Sequence, residues 1–175
     1  MREAADLSRI ERFMRALGQE ARDEARVYFT GGATAVLHGW RASTVDIDVK
    51  IVPERDELLR AIPVLKEQLQ VNVELASPAD FIPVSRDWEA RSPFIAREGR
   101  LSFLHFDLYA QALAKIERGH SQDVADVQQF LRSGLIQRSK LAEYFEAIAA
   151  GLYRYPALDP VSFRERVNHV VAGRS

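Results

Sequence analysis

The chain has no cysteine in its 175 residues. Disulfides, thiolate metal centres and a thiol nucleophile are excluded at once, and a cytoplasmic location is the expectation that accords with this. It has no long apolar run. Nothing approaches the ~20 residues a helix needs to cross a bilayer, and no apolar stretch follows Met1-Arg2-Glu3, so neither a membrane partner nor a signal peptide is expected. It has little net charge: 24 basic residues face 25 acidic ones, for a formal charge of −1. The two signs are interspersed, so broad electrostatic adhesion to nucleic acid is not indicated, although contact with an RNA end stays open. Internal repeats and low-complexity segments are also missing. What is there is ordinary for a folded α/β chain, with 47% hydrophobic and 28% charged residues, enough to bury one core and carry a helical appendage.

The chemistry concentrates in residues 27–53. Val27–Thr30 reads as a short apolar strand running into Gly31-Gly32, and residues 33–38 as a small-residue helix closed by Gly39. A polar turn, Arg41-Ala42-Ser43-Thr44, leads to a second strand that Pro53 ends. Asp46 and Asp48 are one residue apart on that strand, so they share a face, while Val45, Ile47, Val49 and Ile51 form the apolar face opposite. Two carboxylates side by side repel unless a cation neutralises them, and a hard divalent ion prefers such oxygens. Gly-Gly between strand and helix lets a ligand approach the backbone, and the helix start favours phosphate. Together these features point to a metal-nucleotide site. Arg41 is able to bind phosphate through its planar fork or to pair with an aspartate in the turn. Ser43 is either a phosphate- or metal-site hydroxyl or a turn residue. His38 reads as a half-buried residue at a helix end.

Elsewhere the periodicities set an α/β order. Leu7, Ile10, Phe13, Met14 and Leu17 imply a first helix over 7–25, with Ser8 and Glu11 as a capping box and Gly18 as a weak spot. Residues 56–69 imply a helix that Pro63 should kink or split. Residues 71–75 alternate, with Asn72 and Glu74 on one face and Val71, Val73 and Leu75 on the other. Trp88, Arg91 and Ser92 fall in an expected loop. Residues 94–96 and 101–106 imply a hairpin, and Asp107 an N-cap. Beyond it the chain is helical, with Ser139 and Asp159-Pro160 as further helix starts and Tyr153 and Tyr155 as packing residues. A core over 1–107 and a helical portion over 108–175 follow.

The ordered pair Gly31-Gly32 then Asp46-x-Asp48, with Arg41 and Ser43 before the aspartates, resembles the polymerase-β-like nucleotidyltransferase superfamily. From Tyr28 to the segment Tyr153-Arg154-Tyr155-Pro156 the chain looks like small bacterial nucleotidyltransferases of unknown function related to AbiEii-type toxins. That resemblance implies a mixed sheet flanked by helices and a C-terminal helical portion. It implies Mg2+, or Mn2+, held by Asp46, Asp48 and a third carboxylate. Glu74 stands at that third place, where related chains carry aspartate, with Asp107 as its competitor. Gly31, Gly32, Arg41 and Ser43 would cradle the nucleotide. It further implies an active-site lysine, matched by Lys115, and an aspartate in the next helix, matched by Asp123 ahead of Asp126. A structural Lys–Asp pair is the other reading of those residues. The implied reaction moves a nucleoside monophosphate from a nucleoside triphosphate to an RNA, protein or small-molecule hydroxyl. A toxin role with a cognate antitoxin is one extension. A non-catalytic nucleotide-binding or antitoxin-like partner is the alternative.

Overall fold

The structure, a computed structural model, describes residues 2–173. It resolves into two compact units, one from residues 2–77 with 92–106 and the other from 78–91 with 107–173.

The first unit holds a five-stranded mixed sheet. Its strands are β2 (Ala25–Thr30), β4 (Asp46–Val52), β5 (Asn72–Leu75), β6 (Phe94–Glu98) and β7 (Leu101–His105), in the spatial order β5-β4-β2-β7-β6. β2 runs antiparallel to β4 and parallel to β7, while β4 and β5 are parallel. One face of this sheet presents Val27, Phe29, Ile47, Val49, Val73 and Phe103, all buried. Helices α1 (Leu7–Glu20) and α3 (Asp56–Leu69) bury Ile10, Phe13, Met14, Leu17 and Leu58, Ala61, Ile62, Leu65 in the same core. Those residues recur every three or four positions, the spacing that lines one side of a helix. Phe29 anchors the cluster, stacked on Phe103 with ring centroids 5.7 Å apart and meeting Phe13 edge-on at 6.5 Å. The mixed α/β architecture is the one the sequence implied.

Several local expectations are corrected. α1 stops at Glu20, because Ala25 already belongs to β2. Its N-cap is Asp6, whose Oδ1 accepts from the Arg9 N–H at 2.9 Å, and not Ser8. Gly18 is no weak spot: a Cβ there would lie 2.6 Å from the Glu98 carbonyl oxygen, so glycine is what lets the helix close on the β6–β7 hairpin. α3 continues through Pro63, which sits on its exposed side. Val45 is 74% exposed and Leu75 55%, so each apolar face is one residue shorter than alternation implied. A two-residue ladder between β1 (Ala5–Asp6) and β3 (Ser43–Thr44) carries no pattern long enough to read in advance.

The second unit is helical. It contains α4 (Trp88–Arg91, expected as loop), α5 (Leu108–Arg118), α6 (Ser121–Arg132), α7 (Arg138–Ala149) and α8 (Pro160–Val171). Leu113, Phe130, Leu141, Phe145 and Phe163 are fully buried, with Phe145 and Phe163 edge-to-face at 5.1 Å. Asp107 and Asp159 cap α5 and α8 as expected. α7 starts at Arg138 after Gln137, one residue before the anticipated Ser139 cap. Residues 78–91 join this unit through two tyrosines. Tyr144 accepts from the Ser85 N–H at 2.9 Å, and Tyr155 donates to the Ala79 carbonyl at 2.8 Å. Tyr153, by contrast, is 80% exposed.

Candidate active site

In the first unit β2 delivers the chain into Gly31, whose φ of 64° and ψ of −133° suit glycine alone, and α2 (Gly32–His38) follows. A Cβ on Gly31 would lie 3.1 Å from Oδ2 of Asp48. The glycine turn and the carboxylate strand are therefore neighbours. Gly32 has a packing reason of its own. A Cβ there would stand 2.0 Å from the Thr44 Oγ1 and 2.8 Å from an Arg41 guanidinium nitrogen. Thr44 and Arg41 thus fill the space its missing side chain leaves. Thr44 also donates to the Asp46 carbonyl at 2.9 Å, which ties the turn to the first carboxylate residue. Ser43 pairs with Asp6 in the short ladder.

β4 shows the anticipated alternation. Ile47, Val49 and Ile51 are buried, while Asp46, Asp48 and Lys50 are half-buried on the other face. Parallel pairing sets Asp46 opposite Asn72 and Asp48 opposite Glu74. Adjacent strands lie about 4.8 Å apart and paired residues point to the same side, so Glu74 is brought beside Asp48. Asp107 belongs to the helical unit, where its Oδ1 accepts from the Tyr109 N–H at 3.0 Å. Burial pushes its carboxyl above the usual range, against the pull of Tyr144 and Arg91.

Asn72 was missed as part of this group. Its side-chain amide donates to Oδ1 of Asp46 and, at 3.3 Å, to Oε1 of Glu74. Its own oxygen accepts from Arg2 at 3.1 Å, and Arg2 reaches Glu67 at 2.6 Å. The alternation placed Asn72 on the face of Glu74; its partner Asp46, on another strand, depends on a register no local pattern encodes. The donor set of Asp46, Asp48 and Glu74 is all carboxylate oxygen and fits a hard divalent cation in kind. As the side chains stand, no three His, Asp or Glu residues are gathered tightly enough to hold a metal among the described residues. A cation would have to draw these carboxylates together.

Next to the turn, His38 lies in a three-ring stack, 5.2 Å from Trp40 and 4.4 Å from His105. The Nδ1 of His105 is 3.0 Å from the Thr34 hydroxyl. Burial, aided by His38, pushes the His105 pKa down to about 3, and burial lowers that of His38 as well. At that value His105 is neutral at pH 7, whereas His38 is exposed and not half-buried as the sequence implied.

In the helical unit Lys115 is buried between α5 and α6. Its Nζ is 2.7 Å from Oδ2 of Asp126 and 3.8 Å from Oδ1 of Asp123. Asp123 is instead gripped by Arg118 through two bonds of 2.7 and 2.6 Å, and it accepts from the His120 N–H. Burial alone would raise the Asp123 carboxyl, but Arg118 and then Lys115 outweigh it and hold it below its ordinary range. The direct partner of Lys115 is Asp126, with Asp123 the more distant carboxylate. The arrangement is a buried ion-pair network that joins two helices.

A glycine turn, two aspartates on the adjacent strand and an acidic residue in register beside them thus lie together in the first unit. The chain belongs to a family described as nucleotidyltransferase of unknown function (DUF6036), whose model matches residues 5–167. No curated protein and no solved structure matches it. No helix among the described residues is long and apolar enough to cross a membrane.

Proposed function

We propose that the protein is a divalent-metal-dependent nucleotidyltransferase that moves a nucleoside monophosphate from a nucleoside triphosphate to an acceptor hydroxyl. The observation that carries this reading is the closeness of the Asp48 carboxylate to the Gly31 turn, with Glu74 in register beside Asp48. A phosphate chain entering at the turn meets the carboxylates within one small region.

Asp46 and Asp48 would hold Mg2+ or Mn2+, with Glu74 sharing it. When bound, such an ion supplies Lewis-acid polarisation of the α-phosphate and charge neutralisation. The chain itself does the rest. Gly31 offers backbone without a Cβ beside the phosphates, and Arg41, packed over Gly32, supports the turn and places a fixed positive charge there. Ser43 lies on the same connection. The rigid β2–β4 ladder, with Thr30 opposite Asp48, fixes the spacing between the two halves of the site. Transfer then needs only an acceptor hydroxyl aligned with the α-phosphorus and pyrophosphate as the leaving group.

The test is pyrophosphate release from nucleoside triphosphates with Mg2+ and a cell lysate as the acceptor source. Asp46→Ala is expected to abolish release while unfolding at the wild-type temperature. Nucleotide binding without release in the wild type supports the non-catalytic nucleotide-binding reading instead. The kinship with AbiEii-type enzymes implied by the sequence extends the proposal to a toxin with a cognate antitoxin. It requires growth arrest on expression that disappears with Asp48→Asn.

A further inference from the structure

Resting on that functional reading, we propose that Asn72 is the positioning residue of the carboxylate site: its amide aligns Asp46 and Glu74 across two strands, and Arg2 fixes the amide. The argument starts from what each group is able to do. An arginine only donates and a carboxylate only accepts. Arg2 contacts the oxygen of the Asn72 amide at 3.1 Å, so the NH2 group must face the carboxylates. Its two N–H bonds are directed one to Oδ1 of Asp46 and one, at 3.3 Å, to Oε1 of Glu74. The orientation is thus determined by the partners on both sides of the amide.

The consequence concerns the cation. Among the described residues each carboxylate is engaged through one oxygen, Oδ1 of Asp46 and Oε1 of Glu74, which leaves the second oxygen of each for a ligand. A neutral donor between two like charges also lowers their mutual repulsion before any cation arrives. Partners of this kind, one shell out from the metal, orient its ligands and restrict their rotation. Glu67 closes the chain by holding Arg2 at 2.6 Å from the far side.

The experiment is a calorimetric titration of the full chain with Mn2+ alone, followed by KM and kcat with nucleotide where turnover is found. Asn72→Ala is expected to weaken Mn2+ binding about tenfold or more. Arg2→Met, which leaves the strand untouched, is expected to weaken it in the same direction by less, and it carries the test if Asn72→Ala does not fold. A merely structural Asn72 would change the unfolding temperature and leave the Mn2+ affinity of the folded fraction unchanged. Unchanged or tighter Mn2+ binding in both variants overturns the inference and leaves the metal reading standing. A wild-type chain that binds no Mn2+ overturns both.

Discussion

Replacing Gly32 by alanine tests how the site is built, because its cost follows from the local geometry. The new methyl would lie 2.0 Å from Oγ1 and 2.7 Å from Cβ of Thr44. Ordinary contact needs well over 3 Å, so Thr44 would have to retreat by more than an ångström. It is poorly placed to do so. Thr44 is 8% exposed, donates to the Asp46 carbonyl at 2.9 Å and pairs with Ala5 in the β1–β3 ladder. Overpacking of this kind costs about 1–3 kcal/mol, and losing the Thr44 hydrogen bond adds about 1 kcal/mol. For a chain of this length each kcal/mol is worth about 2–4 °C of unfolding temperature. Gly32→Ala should therefore lower Tm by roughly 4–16 °C. Thr44→Gly in the same chain should recover part of that loss, because both clashing Thr44 atoms are gone. The assay is thermal and urea unfolding of the two single variants and the double variant, read as a cycle. A Gly32→Ala chain that unfolds within a degree of wild type, or a cycle with no coupling, would refute the packing argument.

Three further outcomes follow from other parts of the molecule. Phe29→Ala removes a fully buried ring stacked on Phe103 and should cost about 3–5 kcal/mol in urea unfolding; a loss below 1 kcal/mol would contradict its place in the core. Lys115→Ala leaves Asp126 buried without its 2.7 Å partner and should cost about 3–5 kcal/mol, most of it recovered by adding Asp126→Asn. Equal stability of the single variant and wild type would show that the pair is not the tie between α5 and α6. His105, with a folded pKa pushed down to about 3, binds its proton more readily in the unfolded chain, whose histidines titrate near 6.5. Its contribution to stability is present above the unfolded value and falls as pH drops towards 3, by about 2 kcal/mol at pH 5. His105→Phe should flatten the stability profile between pH 7 and pH 5; an unchanged slope would count against the burial argument.

The parts of the molecule that could be read in advance are those encoded by short-range periodicity. Asp46 and Asp48 share a face because strand geometry demands it, and Asp107 and Asp159 cap helices because a carboxylate there accepts the free N–H groups of the first turn. Helix faces such as Ile10, Phe13, Met14 and Leu17 follow the same logic. What stayed hidden depends on contacts distant in sequence. Gly18 looked like a break because glycine weakens a helix, yet the approach of Glu98 requires it. Asn72 meets Asp46 only because β5 pairs with β4 in one register out of several. Asp123 and Asp126 lie three apart on the same side of α6, so spacing alone did not say which would face Lys115. Arg118 decided it by taking Asp123 for itself. The glycine pair shows a third kind of limit: its presence was legible, but the room that Gly32 leaves for Thr44 and Arg41 was not.

The central claim is that the carboxylates of β4 support transfer of a nucleotidyl group. It is tested most directly by following two labels, one on the α-phosphorus and one on the γ-phosphorus of the same nucleoside triphosphate. With Mg2+ present, the α label should pass to an acceptor and the γ label should leave in pyrophosphate, and Asp48→Asn should stop both. Transfer of the γ label instead, or α transfer at the wild-type rate in Asp48→Asn, would contradict the account.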